Sequence, residues 1–173
     1  MATKYTLVAL VEDKPGVLNA IASLFRRRGF NIDSIAVGHS EQPNISRVTV
    51  VVNGSPAVME QARKQLNKIV EVIKTFNVKP DESVSRELAL IKVKANPETR
   101  SEIMQIVSIF RANIIDVAHD SLTVEVTGDE DKVDSLFRLL RSFGIKEMSR
   151  TGRIAMTRGA MEQMPEIKED HNG

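Results

Sequence analysis

Residues 5–11 (YTLVALV) are an apolar run of strand length, and a polar break at 12–16 (EDKPG) separates them from a stretch with helical periodicity. Over residues 15–28 the positions Val17, Leu18, Ile21, Leu24 and Phe25 fall on one stripe, and Gly29 ends it. Ile32 to Val37 and Arg47 to Val52 then read as two strands around the polar turn HSEQPN. Ser55-Pro56 opens a second helix, Ser as N-cap and Pro in the first turn, with Val58, Ala62, Leu66 and Ile69 facing inward. A last strand over 70–78 alternates Val70, Val72, Lys74, Phe76 and Val78 against polar neighbours. The order is βαββαβ.

The same order recurs with different residues. ELALIKVKA (87–95) is a strand, and Asn96-Pro97 caps a helix with Ile103, Ile106, Val107 and Phe110 inward. NIIDVA, a turn at His119-Asp120 and SLTVEVT follow. A helix from near Asp129 carries Val133, Leu136, Phe137 and Leu140 to Gly144, and strands follow at Ile145 and near Arg153–Met156. The fold class is therefore α+β, two consecutive ferredoxin-like units, each a four-stranded antiparallel sheet with both helices on one face. The expected divisions are 1–79 and 86–159 as domains, a polar linker at 80–85, and a polar, unperiodic, mobile tail at 160–173. RVTVVV and TLVALV are apolar on both alternations, so the face without helices needs a cover, expected from a second copy in a dimer or larger assembly.

Composition narrows the function. Among 173 residues there is no Cys, which excludes disulfides and thiolate metal sites. No apolar run reaches membrane-spanning length and MATKYTLVALV enters a strand without a cleavage-like site, so the expectation is a cytoplasmic protein with no membrane partner. Residues 1–80 hold eleven Lys and Arg against six Asp and Glu, and residues 81–173 hold thirteen against seventeen. Much of the basic excess is Arg26, Arg27 and Arg28 at a helix end, where cations favour the negative pole of the dipole. His39, His119 and His171 have no metal-ligand spacing, and no nucleophile elbow or phosphate loop occurs. The topology also suits single-stranded RNA, but its sheet strands here carry none of the aromatics that stack bases, so no nucleic acid is expected.

The break VEDKPGVL remains. A Gly in the first turn of a helix keeps bulk away from exposed N–H groups at the positive pole, which makes a small carboxylate site. The same spacing also serves a plain strand-to-helix turn built on Pro15 and Gly16. D-x-P-G-V-L between the first strand and first helix of a βαββαβ unit resembles the ACT domain, a family of amino-acid-sensing regulatory modules. More closely, VEDKPGVLNAIASLFRRRGFNIDSIAV, SRVTVVV, QLNKIVEVIKT, RELALIKVKA, IFRANIIDV and RTGRIAMTRG, in that order over about residues 3–159, resemble the regulatory small subunit of acetohydroxyacid (acetolactate) synthase.

That resemblance implies a non-enzymatic protein with no cofactor of its own. Such subunits bind a large catalytic subunit that carries thiamine diphosphate, FAD and magnesium, raise its activity in branched-chain amino-acid biosynthesis, and confer feedback inhibition by valine or a related amino acid. It further implies a homodimer through ACT domains, with the effector between them. Carried over by position, the Gly16, Val17 and Leu18 N–H groups would take the α-carboxylate and Asp13 the ammonium. Asn31 and Ile32 of the second copy would complete the site. Leu18 is either a pocket residue or core, and Asn31 either a ligand or a turn residue. Relatives often carry Asn where Asp13 stands; an acid strengthens the ammonium contact and repels a nearby carboxylate. The alternative is an independent ACT sensor acting on another enzyme or a transcription factor.

Overall fold

The computed structural model describes residues 3–159, so the tail expected at 160–173 lies outside the described residues. Along the chain run β1 (Thr3–Glu12), α1 (Val17–Arg28), β2 (Asn31–His39), β3 (Ile45–Gly54), α2 (Pro56–Leu66) and β4 (Val72–Val78). After a 3-10 turn (Pro80–Glu82) come β5 (Ser83–Lys94), α3 (Arg100–Ile109), β6 (Asn113–Val117), β7 (Ser121–Gly128), α4 (Glu130–Arg141), β8 (Ile145–Arg150) and β9 (Ile154–Thr157). Two antiparallel sheets result, ordered β2-β3-β1-β4 and β6-β7-β5-β8. Both units have the expected ferredoxin-like topology.

The helices form where their caps and stripes dictate. Ser55 Oγ accepts the Val58 N–H at 3.3 Å, and Asp129 Oδ1 accepts the Lys132 N–H at 2.9 Å. From α1, Val17, Ile21, Leu24 and Phe25 pack on Leu7, Ala9 and Val11 of β1 and Val48, Val50 and Val52 of β3. Each such burial stabilises by about 1.5–3 kcal/mol. Leu18 departs from the predicted stripe: it is 47% exposed, in the first turn of α1 next to Gly16. The second core repeats the pattern with Ile103 and Val107 of α3, and Val133, Leu136 and Leu140 of α4, over Ala89, Ile91 and Val93.

Three expectations change. The strand predicted from residue 70 begins at Val72 and leaves Val70 90% exposed. Its simple alternation also fails, because a bulge at Ile73 lets Val72 pair Val11 on the helix face while Phe76 pairs Val8 on the other. Residues 80–85, read as a linker, hold the 3-10 turn and the first residues of β5, and Ser83–Arg86 pair with β9. That ribbon supplies in part, from within the chain, the cover expected from a second copy: Ala155 is buried against Val8 and Val78, with Phe76 packed beside them. Arg47 lies over the Phe76 ring at 5.3 Å and its Nη2 donates to Ala155 O at 2.7 Å.

Charges join the two units as well. Lys4 of β1 pairs with Asp33 of β2 at 3.0 Å and with Glu130 at the start of α4, and Glu130 accepts from Arg153 at 2.6 Å. Glu87 is buried and takes a two-pronged contact from Arg150, at 2.5 and 3.1 Å, while Arg150 also reaches Asp134 at 2.6 Å. The Glu87 hydrogen bond is the chief reason the Arg150 guanidinium is held above its ordinary range.

Candidate functional site

The turn between β1 and α1 is built from backbone. Asp13 N–H donates to Asn44 O at 2.8 Å and Lys14 N–H to Glu12 O at 2.9 Å, which bends the chain out of the sheet. Gly16 then takes φ 89°, ψ −12°, a left-handed conformation costly for other residues. Its carbonyl accepts the first helical bond, from Ala20 N–H at 2.9 Å. No side chain caps α1, and a Cβ built on Gly16 would meet nothing within 4 Å, so the space in front of the first turn is open. Val17 contributes only its backbone there, since its side chain is buried in the core. Lys14 pairs with Glu12, whose hydrogen bond holds the ammonium above its ordinary pKa.

The internal repeat supplies a control. A shift of 82 residues, the interval from Ile21 to Ile103, sets Asn31-Ile32 on Asn113-Ile114, Asp13 on Ala95 and Gly16 on Glu98. In the second unit Asn96 Oδ1 accepts the N–H groups of Glu98 and Thr99 at 3.0 and 2.9 Å, and Thr99 Oγ1 accepts the Asn96 N–H at 3.1 Å. The turn leading into α3 is tied by these side chains, though α3 itself, from Arg100, has no side-chain cap. The α1 start likewise has none, and its Val17 N–H reaches Lys14 O at 3.5 Å; unsatisfied first-turn N–H groups are the ordinary reason for a cap.

Within one chain the predicted residues form two groups, not one. Glu12 is level with Ile45 on β3, whereas Asn31 is level with Asn53. Eight residues of strand separate those levels by about 27 Å. Asn31 is exposed; Ile32 is half-buried against the first core, on the same side of the sheet as α1. Beside Asp13 lies His39, its Nδ1 3.5 Å from Asp13 Oδ2. The sequence treats His39 as a loop residue. The β2–β3 register, His39 opposite Ser46, is what brings it to the Asp13 end.

Two concavities lie elsewhere. One of about 380 Å³ sits between Arg28, Phe30, Lys64 and Lys68, and one of about 470 Å³ sits between the units at Asp33, Ile35, Glu130 and Arg153. Neither includes Asp13, Gly16 or Leu18. Among the described residues no three His, Cys, Asp or Glu converge as a metal site, and no helix is long and apolar enough to cross a membrane.

Comparisons with known proteins agree along the chain. Residues 7–74 match the family described as AHAS small subunit-like ACT domain, and residues 86–159 match the family described as small subunit of acetolactate synthase. A probable acetolactate synthase small subunit of Archaeoglobus fulgidus is 55% identical over 90% of this chain and 98% of its own. The acetolactate synthase small subunit of Mycolicibacterium smegmatis is 51% identical over 90% of this chain and 91% of its own. The crystal structure of an acetolactate synthase small subunit from Thermotoga maritima superimposes with a TM-score of 0.86 at 43% identity, covering 92% of this chain and 99% of that one.

Proposed function

The chain belongs to the acetolactate synthase small-subunit family, and on that premise we propose that it is a non-catalytic regulatory subunit that activates a catalytic partner and returns feedback inhibition by valine or a related branched-chain amino acid. Thiamine diphosphate, FAD and magnesium belong to that partner and none to this chain. The observation that carries the sensing role is the start of α1, which presents its positive pole without a side-chain cap behind a left-handed Gly16 with open space in front of it, where the second unit sets Glu98 in a turn tied by Asn96.

In this reading the effector carboxylate meets the N–H groups of Gly16, Val17 and Leu18, and its ammonium meets Asp13. Leu18, exposed at the rim, faces the branched side chain. Asn31 and Ile32 come from a second copy. Support lies in β2, the outer strand of its sheet with no strand beyond it among the described residues, and with Ile35 and Val37 exposed at 42% and 47%. Antiparallel pairing of two such edges about Ile35 sets Asn31 of one copy opposite His39 of the other, and His39 is the neighbour of Asp13. Two half-sites some 27 Å apart in one chain thereby become two complete sites in a dimer.

Inhibition then follows from differential binding: valine favours one arrangement of paired ACT domains, and that arrangement holds the catalytic subunit in its less active form. The test is acetolactate formation by the cognate catalytic subunit across a valine titration, with and without this protein. Stimulation that valine reverses is expected. Stimulation without valine sensitivity removes the effector, and no effect on an active cognate enzyme returns the reading to an independent sensor.

A further inference from the structure

The regulatory reading above leaves open how a signal leaves the ACT domain, and the contacts of β2 supply an answer that rests on it. Asn31 and Ile32 are followed at once by a bulge, since the β2–β3 register slips between Ile32 and Ser34. The extra residue is Asp33. A bulge re-aims its side chain and bends the strand, and here the Asp33 carboxylate takes Lys4 at 3.0 Å and the Asn53 amide at 3.1 Å. Lys4 in turn holds Glu130, the first residue of α4, and Glu130 holds Arg153 at 2.6 Å.

The next two residues of β2 touch the same corner of the second unit directly. Ser34 Oγ accepts the Arg153 N–H at 3.3 Å. A Cβ on Gly152 would lie 2.7 Å from the Ile35 carbonyl carbon, 3.1 Å from Ala36 N, and closer still to Ile35 O. Backbone meets backbone there, so a shift of β2 toward the corner must displace residues 152–153. Close-packed contacts of this kind transmit displacement, whereas a loose polar surface absorbs it.

We propose that the Asp33 bulge and the Gly152–Arg153 corner form the coupling element that carries the state of the Asn31–Ile32 half-site into the second domain, with Lys4 and Glu130 as its electrostatic link. Gly152, Glu130 and Arg153 are positioning residues; none touches the effector turn. Gly152→Ala forces the corner off β2, and Glu130→Gln, which leaves the packing intact, cuts the charge link. Both variants keep Asp13, Gly16 and Asn31.

The experiment uses the full chain and its complex with the catalytic subunit. Valine binding to the small subunit is measured by calorimetry and inhibition by valine titration of the complex. Because the chain has no Cys, spin labels at Ala22 of α1 and Ser101 of α3, both exposed, report the distance between units with and without valine. Expected is a wild-type distance that valine changes. In both variants that change is lost, while valine affinity stays within about twofold and the half-inhibitory concentration rises about fivefold or more, the lower end of ordinary coupling. Variants that bind, respond and are inhibited as wild type overturn the coupling alone, as does parallel loss of binding and inhibition in Glu130→Gln. A wild type that binds no valine overturns the regulatory reading and the coupling with it.

Discussion

Gly16 allows strain and electrostatics to be separated in one pair of variants. Its φ of 89° penalises any side chain, and because an added Cβ meets nothing within 4 Å, no clash adds to the backbone term. Gly16→Ala should therefore cost about 1–2 kcal/mol. In a domain of this size, that is about 4–8 °C of melting temperature per kcal/mol. Gly16→Asp carries the same backbone strain, eased because Asp tolerates the left-handed region better. Its carboxylate at the first turn also recovers about 0.3–1 kcal/mol from the helix dipole. Stability should thus run wild type, then Asp, then Ala. Valine response should run the other way for the variants. A carboxylate about 4 Å from the effector's own repels it by about 1–4 kcal/mol between the limits of water and protein surface, so Asp should weaken valine at least about fivefold beyond Ala. Thermal melts give the first order and calorimetric valine titration the second. Equal valine affinities in the two variants would refute a carboxylate at this turn, and an unfolded Gly16→Ala would refute the clash-free reading of the site.

Other consequences follow from particular contacts. Val37→Lys puts a charge on the exposed β2 edge, where Lys opposes strand pairing; sedimentation should find monomer, and a surviving dimer would remove β2 from the interface. Glu87→Ala strips a buried carboxylate from Arg150, which keeps only Asp134, and should cost about 1.5–3 kcal/mol in denaturant unfolding. The Lys4–Asp33 pair beside the contact between units also has a pH window. Burial raises Asp33, but hydrogen bonds from Lys4 and Asn53 and the nearby Lys4 and Arg153 charges outweigh it and hold it below its ordinary 3.8; Glu130 chiefly holds Lys4 above 10.5. A depressed carboxyl stabilises above its ordinary value and loses that contribution as pH falls through the lowered one. A raised ammonium stabilises below its ordinary value and loses that contribution as pH rises through the raised one. The contribution of the pair should therefore be constant across neutral pH and fade below about pH 4, which unfolding at stepped pH would register as a larger acid loss in wild type than in Asp33→Asn.

Most of the secondary structure was legible in the chain because it is local. Strand and helix periods, the caps at Ser55 and Asp129, and the twice-read βαββαβ order each depend on residues within a few positions of one another, and the D-x-P-G-V-L turn with its ordered companions marked the family. What escaped is what pairs distant residues. The bulges at Asp33 and Ile73 arise from register against a neighbouring strand, so period-2 counting placed Val72 and Phe76 on one face when they occupy two. Leu18 lies within the helical spacing of the core stripe, seven residues before the buried Phe25, yet it is 47% exposed. His39 reaches Asp13 through a hairpin, Lys4 meets Glu130 across 126 residues, and Gly152 owes its small size to a strand more than a hundred positions earlier. Local pattern was enough for two repeated units and one distinctive turn. It took the folded chain to place the turn and Asn31 at opposite ends of their sheet and β2 against the second unit, because separation and contact between remote segments are set by strand register and packing, which no local pattern encodes.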